Sequence, residues 1–218
     1  MKKYKAVLFL IALTQFSFSL YAQHQSTADV NKLLAQLKEG NKRFVESKAG
    51  HPNQSTGRIK ETAQGQKPFA VILTCSDSRV PPEIIFDQGI GDLFVIRTAG
   101  NLVDDIGLGS IEYAVEHLGV HLIVVLGHER CGAVEAAVKG GEAPGHIESL
   151  LKAIQPAVEK AKKEKGDLLD NSVIANVRSI VGKLKSNEPI LKEFVSEKKL
   201  EIIGARYDLD DGFVTIIQ

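Results

Sequence analysis

The sequence predicts an α/β protein with a mainly parallel central β-sheet flanked by helices, an N-terminal helical arm and an antiparallel edge strand. Residues 69–74, 93–98 and 121–127 are short apolar runs rich in β-branched residues, a composition typical of buried strands. Amphipathic segments separate these runs, as in parallel strands joined by right-handed crossover helices. Residues 200–207 and 213–217 provide a last pair of strands around an aspartate-rich turn.

The helices follow from the spacing of apolar residues outside the strands. Residues 28–48 form the N-terminal arm, and we expect the Gly40-Asn41 pair to kink or divide it. Further helices are predicted over residues 104–118, 131–139, 146–165 and 170–197. We expect Pro156 and Pro189 to break the last two of these segments, because proline removes a helical hydrogen bond.

The first 22 residues have the features of a secretory signal peptide. A basic start with three lysines precedes an apolar segment at residues 6–20, and Ala22 offers a small residue before a polar stretch. The apolar segment is short for a membrane span, although an uncleaved anchor helix is the alternative. The sequence therefore predicts a signal peptide over residues 1–22, one catalytic domain over residues 23–218, and a periplasmic or secreted location without membrane contact after cleavage.

Composition limits the classes of partner. The 218 residues include 27 Lys and Arg against 27 Asp and Glu. Signal-peptide removal takes away three lysines and no acids, which leaves 24 against 27 and a net charge of about −3. A mildly acidic chain is not expected to bind nucleic acid.

Two predicted strand ends carry the residues that suggest chemistry. Cys75, Asp77 and Arg79 follow the first strand, while His128 and Cys131 follow the third. Because active sites of open α/β sheets lie at the carboxyl ends of the strands, we expect these side chains to converge. Two thiolates, an imidazole and a carboxylate form a donor set that tetrahedral zinc accepts.

Two other interpretations of the cysteines remain open from the residues alone. A pair of cysteines in an exported protein is typical of a disulfide, here between Cys75 and Cys131. Both could also be buried structural thiols in apolar surroundings. Neither interpretation requires Asp77, Arg79 or His128 nearby.

The two motifs resemble the signatures of the β-class carbonic anhydrases. Cys-Ser-Asp-Ser-Arg-Val at residues 75–80 and Gly-His-x-x-Cys-Gly at residues 127–132 match in sequence and order, with R-x-A-G-N at 97–101 and IEYA at 111–114 between them. The similarity spans about residues 30–217. It implies an α/β fold, a homodimer or homotetramer, one Zn²⁺ per subunit, and reversible hydration of carbon dioxide to bicarbonate and a proton by zinc-bound hydroxide.

The resemblance also implies roles for the motif residues. Cys75, His128 and Cys131 would hold the zinc. Asp77 would either fill the fourth zinc position, which closes the site, or turn away to pair with Arg79 and admit water. The regulatory bicarbonate site of some family members includes a tryptophan, and this chain has none, which favours the open state.

Four more positions match the substrate pocket of the family. Gln66 corresponds to a glutamine that hydrogen-bonds substrate, Phe94 and Tyr113 to an aromatic wall shared across the dimer interface, and Ala99 to a position that is often valine. From the residues alone, Phe94 and Tyr113 are equally consistent with a plain core role. Hydrolysis of carbonyl sulfide or carbon disulfide on the same scaffold is a second function that the motifs allow.

Overall fold

The computed structural model describes residues 30–217, so the predicted signal peptide lies outside the described residues. The helices are α1 (30–45), α2 (Thr56–Thr62), α3 (Pro82–Ile85), α4 (Asp105–Glu116), α5 (Gly132–Lys139), α6 (Ile147–Ala161), α7 (Leu168–Lys185) and α8 (Ile190–Ser196). The strands are β1 (Ala70–Thr74), β2 (Leu93–Arg97), β3 (Leu122–His128), β4 (Glu201–Tyr207) and β5 (Val214–Ile217). A 3₁₀ turn covers Ala99–Asn101.

The five strands form one sheet in the order β2-β1-β3-β4-β5. The first four strands pair in parallel, and β5 pairs antiparallel with β4 at the edge. This arrangement confirms the predicted fold class. Within the register of β1 and β3, Thr74 lies opposite Leu126. The residues that follow β1 therefore emerge beside the last residues of β3.

Strands β1 and β3 are buried along their whole length, as their uninterrupted apolar sequences predict for central parallel strands. One face of the sheet packs against α4, α7 and α8 through a cluster that includes Val71, Leu73, Ile111, Leu184 and Leu191. The opposite face packs against α1 and α3 through Ile72, Val124, Leu37 and Ile85. Helices therefore cover both faces of the sheet.

The prediction that Gly40-Asn41 divides the arm into two helices was wrong, since both residues lie inside the continuous helix α1. Their roles are in packing. A Cβ at residue 40 would lie 1.8 Å from the carbonyl oxygen of Phe86, so only glycine fits there. The buried Asn41 amide donates to the Gly212 carbonyl at 2.8 Å and accepts from the Val214 amide at 2.9 Å, which ties α1 to the start of β5.

The two proline predictions had different outcomes. Pro189 lies between α7 and α8, as expected. Pro156 lies inside the continuous helix α6, so the predicted break there was wrong. Burial of Ile154, Ala157 and Val158 on the same helix stabilises α6 through tertiary packing and offsets the cost of proline. Within residues 30–217, no helix is both long and apolar enough to span a bilayer.

Candidate metal centre

The backbone places three donor side chains around one point at the carboxyl edge of the sheet. Cys75 directly follows β1, His128 is the last residue of β3, and Cys131 is the N-cap residue of α5. The buried Thr74 hydroxyl donates to the Leu126 carbonyl at 3.0 Å, which holds the ends of β1 and β3 together. The convergence predicted from the strand ends is therefore confirmed for these three residues.

The donor atoms of Cys75, His128 and Cys131 all lie within 4.8 Å of one another. The three residues are 5%, 0% and 2% exposed, respectively. The two Sγ atoms are 4.0 Å apart, about twice the length of a disulfide bond of ~2.05 Å, and both cysteines are free. The structure therefore contradicts the disulfide alternative.

The imidazole of His128 shows how these donors fit a metal ion. Its Nδ1 lies 2.7 Å from the Glu129 carbonyl oxygen, and because a carbonyl only accepts, Nδ1 must carry the hydrogen. Nε2 then has a free lone pair, and it is buried without a hydrogen-bond partner among residues 30–217. An unpaired polar atom is costly in a protein interior. Coordination of a metal between Nε2 and the two sulfurs would remove that cost.

The cysteines share one environment that favours a thiolate. The pKa of Cys75 is lowered, because its sulfur accepts a hydrogen bond from Cys131. The backbone N–H of Gly100 also donates to this sulfur at 3.3 Å. The hydrogen bond that Cys131 donates to Cys75, together with burial and the negative charge on Cys75, raises the pKa of Cys131. A cation between the two sulfurs would stabilise both as thiolates, the form that binds metal.

Asp77 and Arg79 form a bidentate ion pair beside the three donors. Arg79 donates from Nε to Oδ1 at 2.9 Å and from Nη2 to Oδ2 at 2.7 Å, and its backbone N–H donates to Oδ1 at 2.9 Å. These hydrogen bonds lower the pKa of Asp77 to about 2. Oδ2 also lies 3.7 Å from Nε2 of His128. The carboxylate is thus ionised and adjacent to the donor cluster while its two oxygens face Arg79.

Two further residues hold this loop, and sequence reasoning assigned them no role. Arg97 donates from Nε to the Cys75 carbonyl at 3.1 Å and from Nη2 to the Asp77 carbonyl at 2.6 Å. Gly100, which donates to the Cys75 sulfur, has a φ of +68° that favours glycine. Both residues belong to the R-x-A-G-N segment, so the motif was the available signal. Its hydrogen-bonding role required coordinates.

The four predicted pocket residues lie in different surroundings. Phe94 on β2 packs against the core around Val71, and Ala99 is partly buried in the 3₁₀ turn. Gln66 is exposed, and Tyr113 on α4 is 48% exposed. Gln66 and Tyr113 therefore lie at the surface of the single chain.

A second group of possible metal-binding side chains lies next to the first. Carboxylate oxygens of Glu129, Asp208 and Asp210 are within 4.8 Å of one another. Each is already paired with an arginine, Glu129 and Asp208 with Arg206 and Asp210 with Arg130. This group is therefore an ion-pair network.

Comparison with known proteins identifies the family. A family model described as carbonic anhydrase matches residues 70–214. A relative from Mycobacterium tuberculosis, carbonic anhydrase 2, is 46% identical over 180 residues, which cover 81% of this chain and 87% of the relative. The chain belongs to the β-class carbonic anhydrase family. The resemblance stated from the motifs is thereby confirmed, as is the enzyme class.

Other carbonic anhydrases agree with this assignment. A carbonic anhydrase from Mycolicibacterium smegmatis is 41% identical over 184 residues, which cover 83% of this chain and 89% of the relative. A solved structure from Sordaria macrospora, described as a tetrameric β-carbonic anhydrase, superposes with a TM-score of 0.67 at 30% identity. The superposition covers 73% of this chain and 85% of that one.

Proposed function

We propose that the chain catalyses the reversible hydration of carbon dioxide to bicarbonate and a proton, with one Zn²⁺ per subunit. The observation that carries the proposal is the buried cluster of Cys75, His128 and Cys131 around an unpaired imidazole nitrogen. Two sulfur donors and one nitrogen donor favour zinc over the oxygen-seeking Mg²⁺ and Ca²⁺. Three protein ligands also leave a fourth position, as in catalytic zinc sites.

Cys75, His128 and Cys131 would hold the zinc. When bound, zinc supplies a Lewis acid that lowers the pKa of a coordinated water toward neutrality. Two thiolates donate more charge to the metal than neutral imidazoles do, so we expect the activity to rise on the alkaline side of neutrality.

Asp77 would orient the reacting water by accepting its hydrogen bond. This role requires an ionised carboxylate, and the bidentate contact with Arg79 keeps Asp77 ionised. The same contact holds both carboxylate oxygens on the guanidinium, an arrangement that supports the open state of the site. In a closed state, Asp77 would leave Arg79 and occupy the fourth zinc position.

Gln66 would orient a substrate oxygen, while Phe94, Ala99 and Tyr113 would form the apolar wall of the pocket that holds carbon dioxide. Because Gln66 and Tyr113 are exposed in the single chain, we propose that a second subunit covers them in a homodimer or homotetramer. The tetrameric assembly of the Sordaria macrospora relative supports this part of the proposal.

We also propose that residues 1–22 direct export of the protein to the periplasm, or its secretion, and are then cleaved off. The support is the basic and apolar pattern of that segment. Mass spectrometry of the mature protein from a secreting host tests it, and a full-length N-terminus would contradict it.

The activity is tested by stopped-flow carbon dioxide hydration on zinc-loaded protein. We expect one zinc per chain and rates far above buffer. A zinc content near zero, or rates no better than buffer, would contradict the proposal. Parallel assays with carbonyl sulfide and carbon disulfide decide between the two substrate classes.

A further inference from the structure

Glu129, the residue after His128, is held from several sides. Its backbone N–H donates to the Tyr207 carbonyl at 3.0 Å. Its side chain accepts from the Leu209 N–H at 3.1 Å and from Nη2 of Arg206. The fourth contact is the 2.7 Å hydrogen bond from Nδ1 of His128 to the Glu129 carbonyl. The same residue is therefore both firmly anchored and in direct contact with a proposed metal ligand.

Arg206 provides the anchor. Its guanidinium donates from Nε to Asp170 at 2.7 Å, from Nη1 to Asp208 at 3.2 Å and from Nη2 to Glu129. The side chains of Arg206 and Glu129 are 19% and 16% exposed. An ion pair that is largely shielded from solvent and shares its arginine with two other carboxylates holds its geometry better than an exposed pair.

Arg130, the residue after Glu129, forms an exposed ion pair that can be compared with the shielded pair of Glu129 and Arg206. Arg130 forms a bidentate ion pair with Asp210, at 2.9 and 2.7 Å. Those side chains are 50% and 73% exposed, so solvent screens the pair strongly. Neither side chain is among the hydrogen-bond partners of His128. Nη1 of Arg130 also lies 3.5 Å from Oε2 of Glu129, so the two ion pairs are neighbours in one network. They differ in that Glu129 itself contacts the imidazole.

The Glu129 carbonyl determines which nitrogen of the His128 imidazole carries the hydrogen and how the ring is oriented. While it accepts from Nδ1, the neutral ring keeps its lone pair on Nε2, which is the atom near the two sulfurs. A displaced carbonyl would free the ring to rotate or to move its hydrogen to Nε2. Both changes would remove the donor atom from the metal centre.

We propose that Glu129, anchored by Arg206, is a positioning residue for the metal centre: it fixes the tautomer and orientation of His128. This inference rests on the proposed zinc site. Outer residues that orient a metal ligand typically change metal affinity by roughly 10–100-fold when they are mutated.

The test measures zinc affinity by competition with a chelator of known affinity in wild type, Glu129→Ala, Glu129→Gln and the control Asp210→Asn. We expect Glu129→Ala to weaken zinc binding about 10–100-fold. Glu129→Gln keeps an oxygen acceptor for Leu209 and should recover part of that loss. Asp210→Asn removes the exposed carboxylate but leaves the Glu129 side chain its hydrogen bonds from Arg206 and Leu209, so it should stay close to wild type.

A second readout follows the imidazole directly. In ¹⁵N NMR spectra of the metal-free protein, we expect wild-type His128 to show one tautomer with the hydrogen on Nδ1. Glu129→Ala should show a mixture of tautomers. A general loss of packing would also mix the tautomers, so the change counts only if the backbone amide spectrum of Glu129→Ala otherwise matches that of wild type.

The outcomes separate this inference from the proposed function. Absence of zinc binding in wild type would refute the proposed function. Tight wild-type binding that both Glu129 variants share, with an unchanged His128 spectrum, would overturn the positioning role alone. An Asp210→Asn loss equal to that of Glu129→Ala would also overturn it, because the effect would then be one of charge near the site.

Discussion

The two halves of the candidate site are built differently. The metal half consists of Cys75, His128 and Cys131, which are buried at strand ends and at the N-terminus of a helix. The other half depends on Asp77 and Arg79, whose side chains are 17% and 52% exposed. A single chain can therefore assemble the metal half through the register of its sheet and the position of the start of α5. The carboxylate half relies on one ion pair and on surface residues.

The largest loss of activity is expected when a zinc ligand in the metal half is replaced. Cys75→Ser replaces a thiolate with a poor zinc ligand, so zinc should be lost. We expect kcat/KM for carbon dioxide hydration to fall at least about a thousandfold, equivalent to roughly 4 kcal/mol in the barrier. Zinc content and stopped-flow rates check this, and Cys131→Ser should behave in the same way. A Cys75→Ser protein with full zinc and full activity would contradict the ligand assignment.

The next largest loss of activity is expected when the charge of Asp77 in the carboxylate half is removed and the zinc ligands are left intact. Asp77→Asn keeps the shape of the side chain but removes its charge, so a water can no longer be oriented by an ionised acceptor. We expect a loss of about a hundredfold or more in kcat/KM, with zinc content unchanged. If this variant loses its zinc, Asp77 contributes to holding the metal and the division into two halves is wrong.

A smaller loss of activity is expected when a surface residue of the proposed substrate pocket is replaced. Gln66→Ala should remove one hydrogen bond to substrate, worth about 1 kcal/mol or roughly a fivefold loss in kcat/KM. Zinc content should not change.

The need for a second subunit is tested by dilution. Light scattering reports the number of subunits at each protein concentration, and activity per chain should fall as the subunits separate. Full activity in a verified monomer would show that no second subunit is needed.

The smallest effect on activity is expected at a carboxylate–arginine pair outside the site. Asp87 is buried beneath α1 and accepts hydrogen bonds from Arg43 at 2.6 Å and from the N–H groups of Gly50 and His51 at 2.9 Å. Burial alone would raise the pKa of this carboxyl, but the hydrogen bonds outweigh it and lower the pKa below its usual value. Asp87→Asn should leave kcat/KM unchanged while lowering the free energy of unfolding by about 1–3 kcal/mol.

The sign of the pH dependence follows from the lowered pKa of Asp87. Its contribution to stability is fully present above the unfolded-state pKa of about 3.9 and is lost as the pH falls through the folded-state pKa. The difference in unfolding free energy between wild type and Asp87→Asn should therefore shrink below about pH 4. Urea denaturation at a series of pH values measures it. A difference that grows on acidification would contradict the assignment.

The sequence predicted the parts of the molecule that depend on local patterns. The continuous apolar runs of β1 and β3 indicated buried parallel strands, and the donor residues after them indicated where a metal would bind. Features that depend on distant partners were missed or wrong. Gly40 is needed because the backbone of Phe86 approaches it closely, and Pro156 is tolerated inside α6 because the helix is packed against the core. Arg206, the ion-pair partner of Glu129, lies 77 residues away along the chain.

The central claim is that two cysteines and one histidine hold a catalytic zinc ion. Zinc K-edge X-ray absorption on the purified protein tests it most directly. We predict a first shell with two sulfur atoms at about 2.3 Å and nitrogen or oxygen atoms at about 2.0–2.1 Å. A shell without sulfur, or a zinc-free protein in which Cys75 and Cys131 form a disulfide, would contradict the claim.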